Sequence, residues 1–324
     1  MSEQRDLIFV APGDFPLQIQ ASPHLERLKP FGKVIIYDDR PSSDEEKLER
    51  TRDADVILNT RSAINWPGEH LRALPKLKMI TTCGIGTDNL DLVTASELGI
   101  VISNQPGRTA PSVAEHAFGI MFGLAKGAGY QTAELKAGRW SQKVNYMLQG
   151  KTLGIVGTGA IGGELARLAN LIGMNVIAWT FHPSPERATN LGIRYVELDE
   201  LLQESDVLSL NVNLTEDTRG MIGEKELGRM KPGALLVNCG RGALVDKGAL
   251  VNALNSGQLG GAALDVYDIE PLPADDPILS CQQVVLTPHS GDQTPEGVEA
   301  LNEGAVDNVI AFLEGHPQNV VTVD

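Results

Sequence analysis

Hydrophobic and polar positions along the chain form short apolar runs separated by longer stretches that contain charged residues. Short, continuously apolar runs are typical of parallel strands, because helices cover such strands on both faces of the sheet. The intervening stretches have the length of helices, so the pattern predicts a βαβ arrangement. Five runs occur up to residue 104: LIFVAP at 7–12, KVIIYD at 33–38, ADVILNT at 54–60, LKMITT at 77–82 and IVISN at 100–104.

A second series of apolar runs follows a break in the pattern. The break is QPGRTAP at 105–111, where proline and glycine interrupt regular structure. Alternation restarts at Leu153, and the chain is therefore predicted to contain two doubly wound α/β units. The second series comprises LGIVG at 153–157, NVIAW at 175–179, DVLSLNV at 206–212, ALLVNCG at 234–240, AALDVY at 262–267 and VVLTPH at 284–289.

Two predicted helices stand out from this alternation. Residues 113–124 are apolar over most of a helical surface, interrupted by Glu115 and His116, and such a helix is either buried or packed against another chain. We expect this helix to contribute to a homodimer, and we expect His116 to be a hydrogen-bonded interior residue. Residues 295–315 carry apolar side chains at helical spacing, which predicts a C-terminal helix.

Length and charge narrow the class of protein. A chain of 324 residues has room for two domains. Its 27 Lys and Arg residues against 42 Asp and Glu give a net charge of −15, which repels nucleic acids and anionic membranes, so we expect neither as a partner. The absence of a long apolar segment and of a signal-peptide pattern predicts a cytoplasmic protein. Three widely spaced cysteines predict neither a disulfide framework nor a metal site.

The motif GTGAIG lies between a predicted strand and a predicted helix. In this context its first glycine permits a tight turn, its second lets a pyrophosphate approach the backbone, and its third lets helix and strand pack closely. The amides at the start of the helix can then bind phosphate oxygens. The sequence therefore predicts a Rossmann dinucleotide-binding site. Its residues are Gly157, Thr158, Gly159, Ala160, Ile161 and Gly162.

Three polar residues follow successive strands of the second series. Arg241 comes after ALLVNCG, Glu270 follows AALDVY, and His289 ends VVLTPH. The carboxyl ends of parallel strands lie at one edge of the sheet, and open α/β sheets bind their ligands at that edge. We therefore expect these three side chains to meet beside the bound dinucleotide.

The types of these side chains indicate hydride transfer to or from a carboxylic acid. The forked guanidinium of Arg241 suits a substrate carboxylate. His289 is a natural proton donor near neutral pH, and the carboxylate of Glu270 would stabilise and orient its imidazolium. We predict that His289 protonates a carbonyl oxygen while hydride passes from a nicotinamide to the carbonyl carbon, and that oxidation reverses both transfers.

The first unit offers a second group of candidates. The loop CGIGTDNLD at 83–91 has two glycines around Ile85, and the amides of Ile85 and Gly86 are the predicted donors to the substrate carboxylate. Arg61, after the run ADVILNT, is predicted to contact the distal end of the substrate. A lone arginine is also commonly a solvated surface residue, so its assignment has an alternative.

With these residues identified, the sequence resembles the D-2-hydroxyacid dehydrogenase family over nearly its whole length. The resemblance rests on several motifs in one order, which is far more specific than any single motif. The motifs are CGIGTDNLD, NQPGRTAPSVAEH, GKTLGIVGTGAIG, LTEDTRGMI, MKPGALLVNCGRGALVD, GAALDVYDIEP and LTPHSGDQT.

The resemblance implies an NAD(P)-dependent oxidoreductase that interconverts a small anionic 2-ketoacid and its D-2-hydroxyacid. It assigns carboxylate binding to Arg241 and the acid/base role to His289, as the residues themselves suggest. It likewise makes Glu270 the partner of the histidine. It adds one contact, between Asp265 and the amide of the nicotinamide.

The resemblance also implies the domain arrangement. A Rossmann dinucleotide-binding domain, residues 105–291, would be inserted in a flavodoxin-like substrate-binding domain, residues 1–104 and 292–324. The C-terminal helix would return to complete the first domain. Homodimers built on the nucleotide-binding domain are usual in this family.

Three positions depart from the family pattern; one of them, Asn213 in place of a proline before LT, concerns the shape of its loop and not the chemistry. The acid that contacts the adenosine ribose, expected after NVIAW, is replaced by Thr180, so nothing obvious repels a 2′-phosphate. Arg187 or His182 could bind such a phosphate, and the choice between NAD(H) and NADP(H) stays open. Asp292 stands where an uncharged residue is common. Within a cleft it would disfavour a second anionic group on the substrate, whereas a solvated acid at that position needs no role.

A different class of function is a dinucleotide-sensing binding protein, because the same fold serves as a transcriptional corepressor in some relatives. A sensor has no need of Arg241, Glu270 and His289 together. Their presence in this sequence favours the enzyme.

Overall fold

The computed structural model of the protein describes residues 6–14, 17–60 and 64–322. The chain forms two compact units: the first contains Met1–Thr109 and Thr294–Asp324, and the second contains Ala110–Gln293. The predicted domain boundaries, at 104/105 and 291/292, lie five and two residues before those between the compact units.

Within the described residues, the first unit contains a five-stranded sheet in which all neighbouring strands are parallel. The strands are β1 Leu7–Ala11, β2 Gly32–Ile36, β3 Val56–Asn59, β4 Met79–Thr82 and β5 Val101–Ser103. Their order, β2-β1-β3-β4-β5, is that of a flavodoxin-like doubly wound sheet. The predicted fold class of this unit is confirmed.

The helices of the first unit cover this sheet. The C-terminal helix Pro295–Leu313 begins at Thr294, whose side chain accepts a hydrogen bond from the Gly297 amide. It buries Leu301 and Val309 in the same core as Phe9 of β1, so the end of the chain completes the first unit. The other helices are the 3-10 segments Ile19–Ala21 and Pro23–Phe31 and the α-helices α1 Asp44–Thr51, α2 Gly68–Arg72 and α3 Leu92–Glu97.

The second unit, whose residues are all described, contains a seven-stranded parallel sheet. Its strands are β6 Thr152–Val156, β7 Asn175–Trp179, β8 Arg194–Tyr195, β9 Val207–Leu210, β10 Ala234–Asn238, β11 Leu259–Leu264 and β12 Val284–Leu286. The strand order is β8-β7-β6-β9-β10-β11-β12, in which the six strands from β8 to β11 have the predicted Rossmann order and β12 extends the sheet beside β11. The short edge strand β8 is an addition to the predicted runs.

Both faces of this second sheet are covered, which explains its continuously apolar strands. Leu236 of β10 packs in one core cluster and its neighbour Val237 packs in the other, on the opposite face. Helix α4 lies in the second cluster, where it buries Ala114, Ala117 and Met121. The helices are α4 Ala110–Ala125, α5 Ala128–Lys136, α6 Ala160–Leu171, α7 Pro185–Leu191, α8 Leu198–Glu204, α9 Glu224–Arg229 and α10 Lys247–Ser256.

Across the described ranges, no helix has both the length and the apolar composition that crossing a membrane requires. Within the same ranges, no group of three or more histidine, cysteine, aspartate or glutamate side chains is arranged to hold a metal ion.

Candidate active site

The glycine motif forms the turn between β6 and α6. Gly157 has a φ of +92°, and a Cβ atom on it would lie 2.7 Å from the carbonyl oxygen of Asn211. A Cβ atom on Gly162 would lie 2.0 Å from the carbonyl oxygen of Gly157. Any larger side chain at either position would therefore clash with backbone, so the tight turn and the close packing of α6 both require glycine.

The same turn has room for a phosphate group. A Cβ atom on Gly159 would meet no heavy atom within 4 Å, so the space beside this residue is open. Gly159 is also the N-cap of the twelve-residue helix α6, and no side chain caps that helix. Its first amides and the positive end of its dipole are thus available to an anion, which fits the pyrophosphate of a dinucleotide.

Polar and charged side chains lie in and around this turn. Thr158 is buried, and its hydroxyl forms a hydrogen bond of 2.7 Å with the hydroxyl of Tyr195. Thr180, directly after β7, is half-buried and leaves the strand end without a carboxylate. Arg187 of α7 lines a surface groove together with Gly159 and other residues of the turn. A cation therefore lines the same groove as the glycine turn.

His289 and Glu270 form a close pair at the carboxyl edge of the second sheet. The Nδ1 atom of the histidine lies 2.7 Å from Oε2 of the glutamate, and about a third of each side chain is exposed. The other carboxylate oxygen of Glu270 accepts a hydrogen bond of 2.9 Å from the amide of Tyr267. The glutamate is thus fixed to the end of β11, and it orients the ring through one nitrogen.

The electrostatics of Glu270 favour its charged form. Partial burial raises the pKa of the carboxyl, but the hydrogen bond and charge of His289, the Tyr267 amide and the charge of Arg241 together outweigh burial. The net pKa is lower than usual, so Glu270 is a carboxylate at neutral pH. A fixed negative charge beside an imidazole stabilises its protonated form.

Arg241 lies in the loop after β10, against the strand end that carries Glu270. A Cβ atom on the following residue, Gly242, would lie 2.1 Å from the carbonyl carbon of Tyr267, so the two loops are in close contact. The side chain of Asn238 fixes this loop, because its Nδ2 atom donates a hydrogen bond to the Arg241 carbonyl and its Oδ1 atom accepts one from the Gly240 backbone amide. The structure thus brings Arg241, Glu270 and His289 to one edge of the sheet.

Asp265, at the end of β11, is buried, with a relative exposure of 2%. Its Oδ1 accepts hydrogen bonds from the Thr287 hydroxyl at 2.6 Å and from the Ser290 amide at 2.8 Å, and its Oδ2 accepts from the Gly291 amide at 2.9 Å. Burial raises the pKa of Asp265, but these bonds and the neighbouring His116 outweigh burial and lower it overall. Its expected contact with the nicotinamide amide stays a prediction.

The sequence analysis did not identify the partners of this aspartate. The Nε2 atom of His116, on α4, lies 3.0 Å from the Thr287 hydroxyl and 3.3 Å from Asp265 Oδ1. Ser112, one turn earlier on α4, donates a hydrogen bond of 2.8 Å to the carbonyl of Gly291. Polar residues in an otherwise apolar helix were the available signal, and His116 is indeed hydrogen-bonded as expected.

The candidates of the first unit lie in the loop that follows β4. Ile85 is exposed, and its carbonyl accepts a hydrogen bond of 2.8 Å from the side-chain amide of Asn104. Asn89 ties this loop to the segment after β3, because its side chain donates to the Ile64 carbonyl at 2.6 Å. Arg61 lies outside the described residues. The roles predicted for Arg61 and for the amides of Ile85 and Gly86 stay predictions.

Comparison with known proteins places the chain in a family. Residues 118–291 match the family described as D-isomer specific 2-hydroxyacid dehydrogenase, NAD binding domain. A glyoxylate reductase of Korarchaeum cryptofilum is 38% identical over 300 residues, 90% of each chain. A hydroxypyruvate reductase of Thermotoga maritima is 41% identical over 262 residues, 79% of this chain and 84% of the relative. The crystal structure of a glyoxylate reductase from Paecilomyes thermophila matches 98% of each chain, at 34% identity and a TM-score of 0.88.

The chain therefore belongs to the D-isomer specific 2-hydroxyacid dehydrogenase family. It is an oxidoreductase of that family, with NAD(H) or NADP(H) as its cofactor. The predicted family, enzyme class and cofactor class are confirmed.

Proposed function

We propose that the protein reduces a small 2-ketoacid, of the size of glyoxylate or hydroxypyruvate, to the corresponding D-2-hydroxyacid. The observation that carries this proposal is the 2.7 Å contact between His289 and Glu270 at the sheet edge that also holds Arg241. The two relatives named as glyoxylate and hydroxypyruvate reductases support a substrate of this size.

Three residues of the second unit have different roles in the proposed reaction. The guanidinium of Arg241 binds and orients the carboxylate of the ketoacid through paired hydrogen bonds. His289 donates a proton to the carbonyl oxygen, and Glu270 stabilises the imidazolium and holds the ring in place. Such general acid catalysis contributes about 100- to 10,000-fold in rate. A bound NAD(P)H supplies the hydride that reduces the carbonyl carbon.

The turn from Gly157 to Gly162 is proposed to bind the pyrophosphate of the dinucleotide, and Thr180 to lie beside its adenosine ribose. The open space at Gly159 and the uncapped start of α6 support the first assignment. The missing carboxylate at Thr180 and the nearby Arg187 are compatible with a 2′-phosphate, so both nicotinamide cofactors belong in the assay. In the same proposal, the second unit is the dinucleotide-binding domain and the first is the substrate-binding domain.

We propose in addition that the enzyme is a homodimer. The segment that follows α5 carries large apolar side chains in solvent: Trp140 is 84% exposed, Val144 96% and Met147 63%. An exposed apolar group of this kind is typical of an interface. Helix α4, predicted for this role, buries Ala114 and Ala117 within its own unit and leaves larger apolar side chains partly exposed, so its place in the interface stays a prediction. The cytoplasmic location stays a prediction.

Sedimentation tests the dimer. We expect the wild type to sediment at about twice the chain mass of 34.7 kDa, and Trp140→Glu to shift the population towards the monomer, because a buried charge without a partner opposes association. Leu171→Glu is the matched control, since Leu171 is an equally apolar side chain, 72% exposed on α6. A wild-type monomer, or equal effects of the two variants, would contradict the proposed interface.

Turnover with defined ketoacids tests the function. Loss of the near-ultraviolet absorbance of NADH and of NADPH is followed with glyoxylate, hydroxypyruvate and pyruvate, and the configuration of the glycerate formed from hydroxypyruvate is determined by chiral chromatography. We expect oxidation of at least one cofactor and formation of D-glycerate. A protein that binds the dinucleotide tightly but oxidises neither cofactor with any ketoacid would instead be a dinucleotide sensor.

A further inference from the structure

A second histidine–carboxylate pair lies beneath the His289 loop, and the proposed reaction gives it no role. It consists of His116 on α4 and Asp265 at the end of β11, with Nε2 and Oδ1 3.3 Å apart. Thr287, two residues before His289, contacts both members of the pair, because its hydroxyl lies 3.0 Å from the His116 nitrogen and 2.6 Å from the Asp265 oxygen.

The direction of these hydrogen bonds follows from the groups themselves. A threonine hydroxyl has one hydrogen, and Thr287 donates it to the Asp265 carboxylate, which can only accept. The hydroxyl therefore accepts from His116, so the Nε2 atom of that ring carries a hydrogen. His116 is a donor here, and a side-chain amide in its place would supply a hydrogen of the same kind.

His116, Thr287 and Asp265 together fix the backbone of the loop that carries His289. Asp265 binds the amides of Ser290 and Gly291, the two residues that follow the histidine. His289 itself has a φ of +51°, a left-handed conformation that is unfavourable for a non-glycine residue. Such a conformation persists only where the surroundings fix it. The hydrogen bonds from the Ser290 and Gly291 amides to Asp265 supply that constraint.

Helix α4 adds a second attachment to the same loop. Ser112 donates a hydrogen bond of 2.8 Å to the Gly291 carbonyl, and it lies one helical turn before His116. The loop from Thr287 to Gly291 is thus connected to α4 at both ends, through His116 near its start and through Ser112 near its end.

We propose that His116 is a positioning residue for the proposed reduction, acting through Thr287 and Asp265. By donating to the Thr287 hydroxyl beside the Asp265 carboxylate, it holds the loop 287–291 and so keeps the ring of His289 in contact with Glu270. The inference rests on the proposed function. It predicts that removing the Nε2 donor misplaces the proton donor without disturbing either bound ligand.

The test compares His116→Ala with His116→Gln in the full-length protein. We expect the alanine variant to lower kcat for ketoacid reduction by about 10- to 100-fold, because small misplacements of a reacting group cost this much. The KM for the ketoacid and the dissociation constant of the dinucleotide should change less than about twofold, and the glutamine variant should recover most of the lost kcat. Glu115→Gln, on the exposed face of the same helix, is the matched control and should retain wild-type kcat.

A second pair of variants covers the case in which His116→Ala does not fold. Thr287→Val keeps the side-chain shape and removes the hydroxyl, whereas Thr287→Ser keeps the hydroxyl. We expect the valine variant to lose kcat and the serine variant to retain it. An unchanged kcat in His116→Ala or Thr287→Val, or a glutamine variant as slow as alanine, would overturn the proposal.

One readout separates this proposal from the proposed function. The proton shared between His289 and Glu270 should give a downfield imidazole resonance in the wild type, and its loss in His116→Ala with recovery in His116→Gln requires no turnover. If the wild type reduces no ketoacid, the proposed function fails while this measurement still tests the positioning role. A resonance that persists unchanged in the alanine variant would contradict that role.

Discussion

The two histidine–carboxylate pairs of the second unit contain the same chemical groups in different surroundings. In the first pair, His289 and Glu270 have side-chain exposures of 30% and 33% and lie 2.7 Å apart. In the second pair, His116 and Asp265 have exposures of 21% and 3% and lie 3.3 Å apart. The partners and the burial of each carboxylate, rather than its chemistry, distinguish the proposed site of proton transfer from the proposed support for the loop.

The carboxylates differ most in what they bind. Glu270 accepts hydrogen bonds from one backbone amide and from His289, so its carboxylate orients the ring of that histidine. Asp265 accepts from the amides of Ser290 and Gly291 as well as from side chains, so its buried charge is compensated by the loop it holds. We therefore expect loss of Glu270 to affect the rate with little effect on stability, and loss of Asp265 to affect stability as well as the rate.

The largest effect should come from the exposed pair. His289→Ala should lower kcat by about 100-fold or more, because the proton donor is lost, while the affinity for the dinucleotide stays nearly constant. Steady-state kinetics and fluorescence titration with NAD(P)H measure the two quantities. His24→Ala is the matched control, since His24 forms a pair of equal length with Glu299 on the first unit. Unchanged turnover in the His289 variant would remove it as the acid.

Arg241→Ala should mainly impair substrate capture. We expect kcat/KM to fall by about 100-fold or more, chiefly through a higher KM, because removing one partner of a desolvated ion pair costs several kcal/mol. The measurement is the dependence of the initial rate on ketoacid concentration. Arg194→Ala, which removes a surface guanidinium paired with Glu200 and Glu204, should have no such effect. A KM and rate equal to those of the wild type would refute the assigned role.

The buried pair should dominate stability in a pH-dependent way. The pKa of Asp265 is lower in the folded chain than its ordinary value of about 3.9, so its carboxylate stabilises the fold above that pH and loses this contribution as the pH falls through the lowered pKa. Asp265→Asn should therefore lower the free energy of unfolding by about 2–4 kcal/mol at about pH 7, with a smaller difference at about pH 3. Urea unfolding at the two pH values measures this, and a difference that grows in acid would contradict it.

The smallest expected effect is that of Glu270→Gln on the free energy of unfolding, and it distinguishes the exposed pair from the buried one. Glu270→Gln should change the free energy of unfolding by less than about 1 kcal/mol at about pH 7, because a partly exposed ion pair contributes little to stability. The same urea titration measures it beside Asp265→Asn. Equal losses of unfolding free energy in the two variants would mean that the two carboxylates do not differ in their contribution to stability.

The sequence predicted those parts of the site that depend on chain order. Arg241, Glu270 and His289 were recognisable because parallel strands deliver their carboxyl ends to one edge, and the glycine motif because its spacing lies within one strand–turn–helix unit. The same periodicity predicted every strand longer than two residues. Strand β8, Arg194–Tyr195, was missed because two residues at a sheet edge carry no alternation.

The supporting contacts could not be predicted in the same way. His116 lies 171 residues from Thr287 along the chain, and the spacing of residues contains no signal that pairs them. The interface prediction depended in the same way on the apolar composition of α4. That composition does not by itself distinguish packing inside the unit, where Ala114, Ala117 and Met121 are buried, from contact with a second chain. Periodicity identifies which faces are apolar, whereas the partner of each face follows only from the three-dimensional arrangement.

The most direct test of the central claim is a double-variant cycle on kcat for ketoacid reduction, with His289→Ala, Glu270→Gln and the two substitutions combined. If His289 is the acid and Glu270 affects the rate through its contact with that ring, Glu270→Gln lowers kcat in the wild type but causes no further loss once the histidine is removed. Losses that multiply in the combined variant would contradict the account.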